Sequence, residues 1–130
     1  MTILVDTCVL VDALNERSGR RELLLDWISQ GHKLASCAVV VGEVYAVLRA
    51  KEHARTRAWL QLMNYFEIRQ ETAKLGGDIK ADWAKKGHTL SLTDTLIAAV
   101  AIENGLTVAT DNVKDFPMPE LRLLTPPRPH

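Results

Sequence analysis

Short β-branched runs and longer helical runs take turns along this chain. Residues 2–5 are β-branched or apolar with no polar alternation, as expected of a strand covered on both faces at the centre of a parallel sheet. A helix is expected over about 7–14. A second over roughly 20–29 carries Leu23, Leu24, Trp27 and Ile28 on one side and is stopped by Gly31. Residues 33–36 read as a short strand, with Ser36 placed to cap a helix over 38–50. Another helix is expected over 54–64, then a short strand over 66–68. A charged helix over about 71–86 has Ile79 and Trp83 as apolar anchors, and Gly76 and Gly77 weaken its middle. Residues 92–104 are almost wholly apolar after the first turn, so this helix should be buried, and Asn104 and Gly105 supply its stop. Residues 106–109 form an expected fourth strand and 121–124 a fifth at the sheet edge.

Strands alternating with helices imply right-handed crossovers and an α/β fold, a three-layer α/β/α sandwich around a mostly parallel sheet. One domain is expected over 1–125, and Pro126, Pro127 and Pro129 mark a loose proline-rich tail over 126–130. No repeat or second domain is visible. In open sheets of this kind ligands bind beyond the carboxyl ends of the strands, where strand order reverses.

Four carboxylates fall at the joints of this pattern: Asp6 at the end of the first strand, Glu43 inside the third helix, Asp94 at the start of the apolar helix, and Asp115 in the loop after the fourth strand. Each lies beside apolar stretches, where an unpaired charge is costly and a shared divalent cation would relieve it. Each also has an ordinary structural reading. Asp6 can cap the next helix, and the neighbouring Thr7 hydroxyl can bind water or phosphate. Glu43 shares a helix face with Val39, Val40, Ala46, Val47 and Ala50, so a basic side chain or a metal is expected to meet it. Ser91 through Asp94 resembles a capping box. Asp115 competes with Asp111 in a polar loop where turn chemistry alone could explain either. Asp12 is expected to be solvated.

Charge changes the picture only when distributed. Sixteen Lys and Arg balance sixteen Asp and Glu; if the four joint acids are taken up by cations, the remaining surface is positive and tolerates a polyanion. Basic residues gather at Arg17, Arg20 and Arg21 and again at Arg49, Lys51, Arg55 and Arg57, where a solvated helix face is the alternative. Cys8 and Cys37 lack zinc or disulfide spacing and read as buried thiols. His32, His53, His88 and His130 lack ligand spacing, no nucleophile motif is present, and no glycine-rich phosphate loop occurs. An aspartyl phosphatase would want a second Asp two residues after Asp6, where Cys8 stands. No apolar run approaches the ~18 residues of a membrane span, so a cytoplasmic protein is expected.

The segments LVDTCVLVDAL, VVVGEVYAVL and LTDTLIAAVAIENGLTVATDNVKDF, in that order, resemble the PIN domain, specifically the VapC-type ribonuclease toxins. The resemblance spans nearly the whole chain and is most specific in its last block. It implies that Asp6, Glu43, Asp94 and Asp115 are the metal-binding catalytic acids and that Thr110 and Asn112 order the site. Asp111 departs from it, standing where many members carry a basic or neutral residue. All-oxygen ligands would select Mg²⁺, with Mn²⁺ an alternative. Asp6 and Asp94 are expected as direct ligands, with Glu43 and Asp115 completing the set. The resemblance further implies hydrolysis of RNA phosphodiester bonds by an activated water, a cognate antitoxin that offers a basic side chain to the acids, and a homodimer through the helices between Gly31 and Asn64. A non-toxin RNA-processing nuclease and a catalytically silent binding module remain alternatives.

Overall fold

β1 (Thr2–Val5) runs through the middle of the molecule with Ile3, Leu4 and Val5 all fully buried. Burying such side chains contributes about 1.5–3 kcal/mol each, which is why an uninterrupted apolar strand settles at a sheet's centre. The computed structural model describes residues 1–127. β1 is followed by α1 (Thr7–Leu14), α2 (Arg20–Ser29), β2 (Lys33–Cys37), α3 (Ala38–Val47), a 3-10 turn (Ala50–Glu52), α4 (His53–Gln61) and β3 (Asn64–Phe66). Then come α5 (Gln70–Lys85), α6 (Leu92–Asn104), β4 (Thr107–Ala109), a second 3-10 turn (Val113–Asp115) and β5 (Arg122–Leu124).

The five strands form one all-parallel sheet in the order β3-β2-β1-β4-β5, flanked by helices. The chain builds outward from β1 through β2 to β3, then returns to the other side of β1 to lay down β4 and β5. Strand order therefore reverses between β1 and β4, and the crevice at their carboxyl ends is where such sheets bind ligands. Val5 pairs with Ala109 there.

Most expected boundaries hold to within a residue or two; α4 ends at Gln61 rather than at 64, and four further details differ. α3 stops at Val47 because Leu48 turns extended (φ −75°, ψ 135°), and residues 50–52 form the separate turn. Its N-cap is Cys37 without a side-chain bond; Ser36 is buried in β2. The third strand lies at 64–66, earlier than expected, because its register pairs Ala35 with Asn64 and Cys37 with Phe66. In the segment expected as a loose tail, Pro126 is buried and the Pro127 carbonyl accepts a hydrogen bond from Arg20 (2.9 Å), while Pro129 lies outside the described residues.

α6 is apolar on nearly every side, and Ile97 through Ala101 are buried. It ends at Gly105, whose φ of +64° is the left-handed cap that glycine adopts without strain. Gly76 lets α5 approach α6: a Cβ there would stand 2.8 Å from the Leu96 Cδ2 and 3.3 Å from its Cα. The weak middle expected of α5 is therefore half packing requirement, since Gly77 faces open space. Gly76→Val should lower stability by about 1–3 kcal/mol, whereas Gly77→Ala should raise it by about 0.5–1 kcal/mol. Urea unfolding midpoints compare them; a tolerated Gly76→Val would show that α5 does not need this approach.

Candidate functional site

The side chain of Asp6 works in two directions at the end of β1. It caps α1 by accepting from the Thr7 backbone N–H (2.8 Å), and its other oxygen accepts from the Thr110 hydroxyl (2.7 Å). The Cys8 thiol lies 3.7 Å from that same oxygen. Pairing of β1 with β4 makes this possible: Asp6 donates its N–H to the Ala109 carbonyl, which brings Thr110 alongside. Thr110 is fully buried, and its oxygen also accepts from the Asn112 N–H (3.0 Å). The end of the first strand and the loop after the fourth are thus locked through one hydroxyl.

Glu43 reaches the same place from α3. Its carboxylate accepts a 2.6 Å hydrogen bond from the Thr7 hydroxyl, and among the described residues no basic side chain forms an ion pair with it. The apolar surroundings expected of Glu43 are also absent on one side: Val40 and Val44 are buried, but Val47 is 65% exposed and Glu43 itself is half-buried. Asp94 sits in the first turn of α6, where its backbone N–H donates to the Ser91 capping hydroxyl (3.1 Å). The capped turn also places Asp94 in the lining of the crevice. Asp115 closes the short turn after β4, held by its N–H on the Asn112 carbonyl (3.0 Å) and followed by Phe116, which is buried in the core.

Asp6, Glu43, Asp94 and Asp115 all line one open cavity of about 770 Å³, together with Thr7 and Asn112. Among the described residues that line it there is no Lys or Arg. Two further residues join the wall. Asp12, expected to be solvated, adds a fifth carboxylate farther along α1, and Cys8 contributes its half-buried thiol. Burial is the largest influence on the Asp94 carboxyl and pushes its pKa up; the Ser91 hydroxyl opposes this, and the charges of Asp6, Asp115 and Glu43 raise it further. The acids therefore feel one another. As the side chains stand, no three His, Cys, Asp or Glu residues among those described form a group ready to hold an ion.

Asp111 and Asp115 meet different surroundings because of Arg20, a residue that nothing in the residue pattern singles out from its neighbours. Its guanidinium is 2% exposed and meets Asp111 at 2.7 Å. A buried pair of this kind is costly to break, about 3–5 kcal/mol when one partner is removed. Asp111 is thus a structural anchor for the loop, and Asp115 faces the cavity. No local spacing could have shown this, because the partners lie 91 residues apart.

The PIN domain family matches residues 3–117. The chain belongs to the PIN domain family. Among curated relatives of this PIN domain, Ribonuclease VapC19 of Mycobacterium tuberculosis is 30% identical over 120 residues, covering 92% of this chain and 96% of that one. Ribonuclease VapC2 of Rickettsia felis is 26% identical, covering 89% and 90%. In fold, the PIN domain is similar to VapBC2 of Rickettsia felis bound to a promoter DNA fragment, with a TM-score of 0.82, 22% identity, and coverage of 95% and 98%. A toxin-antitoxin complex from Klebsiella pneumoniae gives a TM-score of 0.78 at 26% identity, covering 97% and 98%.

The raised pKa of Asp94 has a definite sign in stability. A carboxyl that binds its proton more tightly folded than unfolded lowers stability once pH climbs above its ordinary value of 3.8, and the full loss is present above its folded pKa. Asp94→Asn removes that loss. In metal-free buffer the variant should melt above the wild type at pH 7, and the gap should close as pH falls toward 4. A gap that stays constant with pH would mean that Asp94 is not under this load.

Proposed function

We propose that this PIN domain is a metal-dependent endoribonuclease, the toxin of a toxin-antitoxin pair. The observation that carries the proposal is the gathering of Asp6, Glu43, Asp94 and Asp115, from four separate segments, around one cavity whose described lining holds no basic side chain. The ribonuclease names of the relatives and the toxin-antitoxin complexes among the fold neighbours support the substrate class and the partner.

The donor set fits a hard divalent cation. All four candidates are carboxylate oxygens, the chemistry that suits Mg²⁺ or Mn²⁺. Mg²⁺ is ordinarily held by one or two carboxylates alongside waters and substrate phosphate. Asp6 and Asp94 would hold the ion directly, with Glu43 and Asp115 completing the set. When bound, such a cation neutralises charge on the phosphodiester and makes water nucleophilic at neutral pH.

The chain's own residues do the rest. Thr110 and the Thr7 N–H each hold one oxygen of Asp6, so the carboxylate cannot rotate away. Thr7 does the same for Glu43 through its hydroxyl. Thr7, Thr110 and Asn112 are therefore site-ordering residues that tie β1, α3 and the last loop into one frame. A partner arginine would satisfy the same acids, which gives an antitoxin a direct way to silence the site.

A cytoplasmic setting is in keeping with the two free cysteines and with the lack of any helix among the described residues long and apolar enough to cross a membrane. We also assign a homodimer through the stretch 31–64, where Tyr45 and Leu62 are exposed apolar side chains outside the acid cavity. Light scattering should give twice the 14.5 kDa chain mass; a monomer at micromolar concentration would end that assignment.

The nuclease test uses an RNA pool with Mg²⁺ or Mn²⁺. Cleavage should vanish with chelator and in Asp6→Asn. It should fall by about 10–100-fold in Thr110→Val, the range for loss of a group that orients a ligand. RNA left intact at every metal concentration would instead favour a silent binding module, and growth arrest on expression separates a toxin from a processing nuclease.

A further inference from the structure

The basic residues noted in the sequence do not share one fate. Arg20 is consumed by Asp111, and Arg21 faces Glu16 at 4.0 Å. Arg17, Arg49, Lys51 and Arg55, from two distant parts of the chain, converge instead on a second cavity of about 270 Å³ at the far end of α1. Glu16 and Glu52 are the acids in its wall, so four cations face two carboxylates and the cavity is two charges positive.

Two of these cations are fixed in place. Arg49 Nε donates to the buried Glu52 carboxylate at 2.5 Å, and Arg55 donates one terminal nitrogen to the Leu14 carbonyl at 2.6 Å. Each bond uses part of a five-donor fork and leaves the remaining N–H groups available. Arg17 and Lys51 make no ion pair among the described residues and are exposed. Such an arrangement presents positive charge to solvent at a low ordering cost, as an oxyanion site requires.

Its position relative to the acids is equally specific. A narrow apolar cleft shares Val11 and Val47 with the acid cavity and Asn15 and Glu52 with the basic one, so the three run on from one another. Along the eight residues of α1, Asp6 stands about 12 Å from the basic end, whereas Asp12 in the wall of the acid cavity lies close to it, its carbonyl accepting from the Arg17 N–H at 2.8 Å. For Asp6 the separation exceeds the roughly 8 Å over which exposed charges act at physiological salt. The cations therefore do not neutralise Asp6.

We infer that the cavity formed by Arg17, Arg49, Lys51 and Arg55 holds a backbone phosphate of the same single RNA strand that is cut at the acids, with the apolar cleft between them under the intervening nucleotides. The inference rests on the nuclease reading for its choice of RNA, but its binding can be measured without cleavage. The subsite sets which stretch of an unpaired strand can be engaged, because both ends of the path must be filled at once.

The test uses a labelled random single-stranded RNA of about 20 nucleotides, longer than the ~16 that a single-strand groove spans, and the full chain. In chelator, fluorescence anisotropy should show Arg17→Glu with Lys51→Glu binding at least ten-fold more weakly. The slope of log affinity against log salt should flatten by about 0.7 for each phosphate that is no longer neutralised. With Mg²⁺ or Mn²⁺, KM should rise while kcat holds. The neutral pair Arg17→Gln with Lys51→Gln should move the same way by less, which guards against a fold defect in the reversal. Lys74→Glu with Lys85→Glu, an equal charge change on α5 outside these cavities, should alter neither. Unchanged binding and slope in the Arg17 and Lys51 variants, or equal weakening in the α5 control, would overturn the subsite. If the variants weaken binding but no metal supports cleavage, the subsite stands and the nuclease reading falls. If cleavage proceeds with KM unmoved, the reverse holds.

Discussion

The molecule depends on β1 and β4 lying side by side. Their hydrogen bonds put residue 6 against residue 110, and from that neighbourhood the rest of the crevice follows. A parallel pair cannot be closed by a tight hairpin, so the chain must cross over by way of helices, and those crossovers carry Glu43 and Asp94 to the same rim. A sheet that builds outward from its centre in both directions leaves one place where helices diverge, and the acids occupy it.

Holding like charges together opposes folding, and the local chemistry shows how the opposition is met. Asp6 is engaged through both its oxygens, Glu43 takes the Thr7 hydroxyl, and Asp115 is fixed by backbone and by its neighbour Phe116 in the core. Asp94 still carries a residual load, because it sits partly buried facing the other three. The cavity is consequently a place where a cation or a guanidinium gains more than it would on open surface. The same principle appears a second time in Arg20 and Asp111, where the pair is already complete and serves the scaffold.

Much of this was legible from residue patterns because it rests on local rules. The apolar run of β1 and the unbroken apolar sequence of α6 declare buried elements wherever they stand, and the ends of α1, α2 and α6 follow from caps and breakers. Asp6, Glu43 and Asp94 were legible as candidates because each ends, interrupts or opens such a run. What was hidden depends on distance in sequence. Asp111 and Asp115 look alike in a loop until Arg20 arrives from 91 residues away to take one of them. Gly76 looks like a defect until Leu96 is seen against it. The burial expected around Glu43 failed because α3 ends early, leaving Val47 open to solvent.

Arg20 also imposes an order on biosynthesis. Its guanidinium is made early, yet its partners, Asp111 and the Pro127 carbonyl, follow 91 and 107 residues later. Until they leave the ribosome, that cation stays in water, β1 is paired on its β2 side alone, and the loop bearing Asp115 has nothing to anchor it. A nascent chain therefore carries no assembled acid crevice, and any hydrolytic capacity must wait until the segment that supplies β4, its loop and Pro127 has emerged.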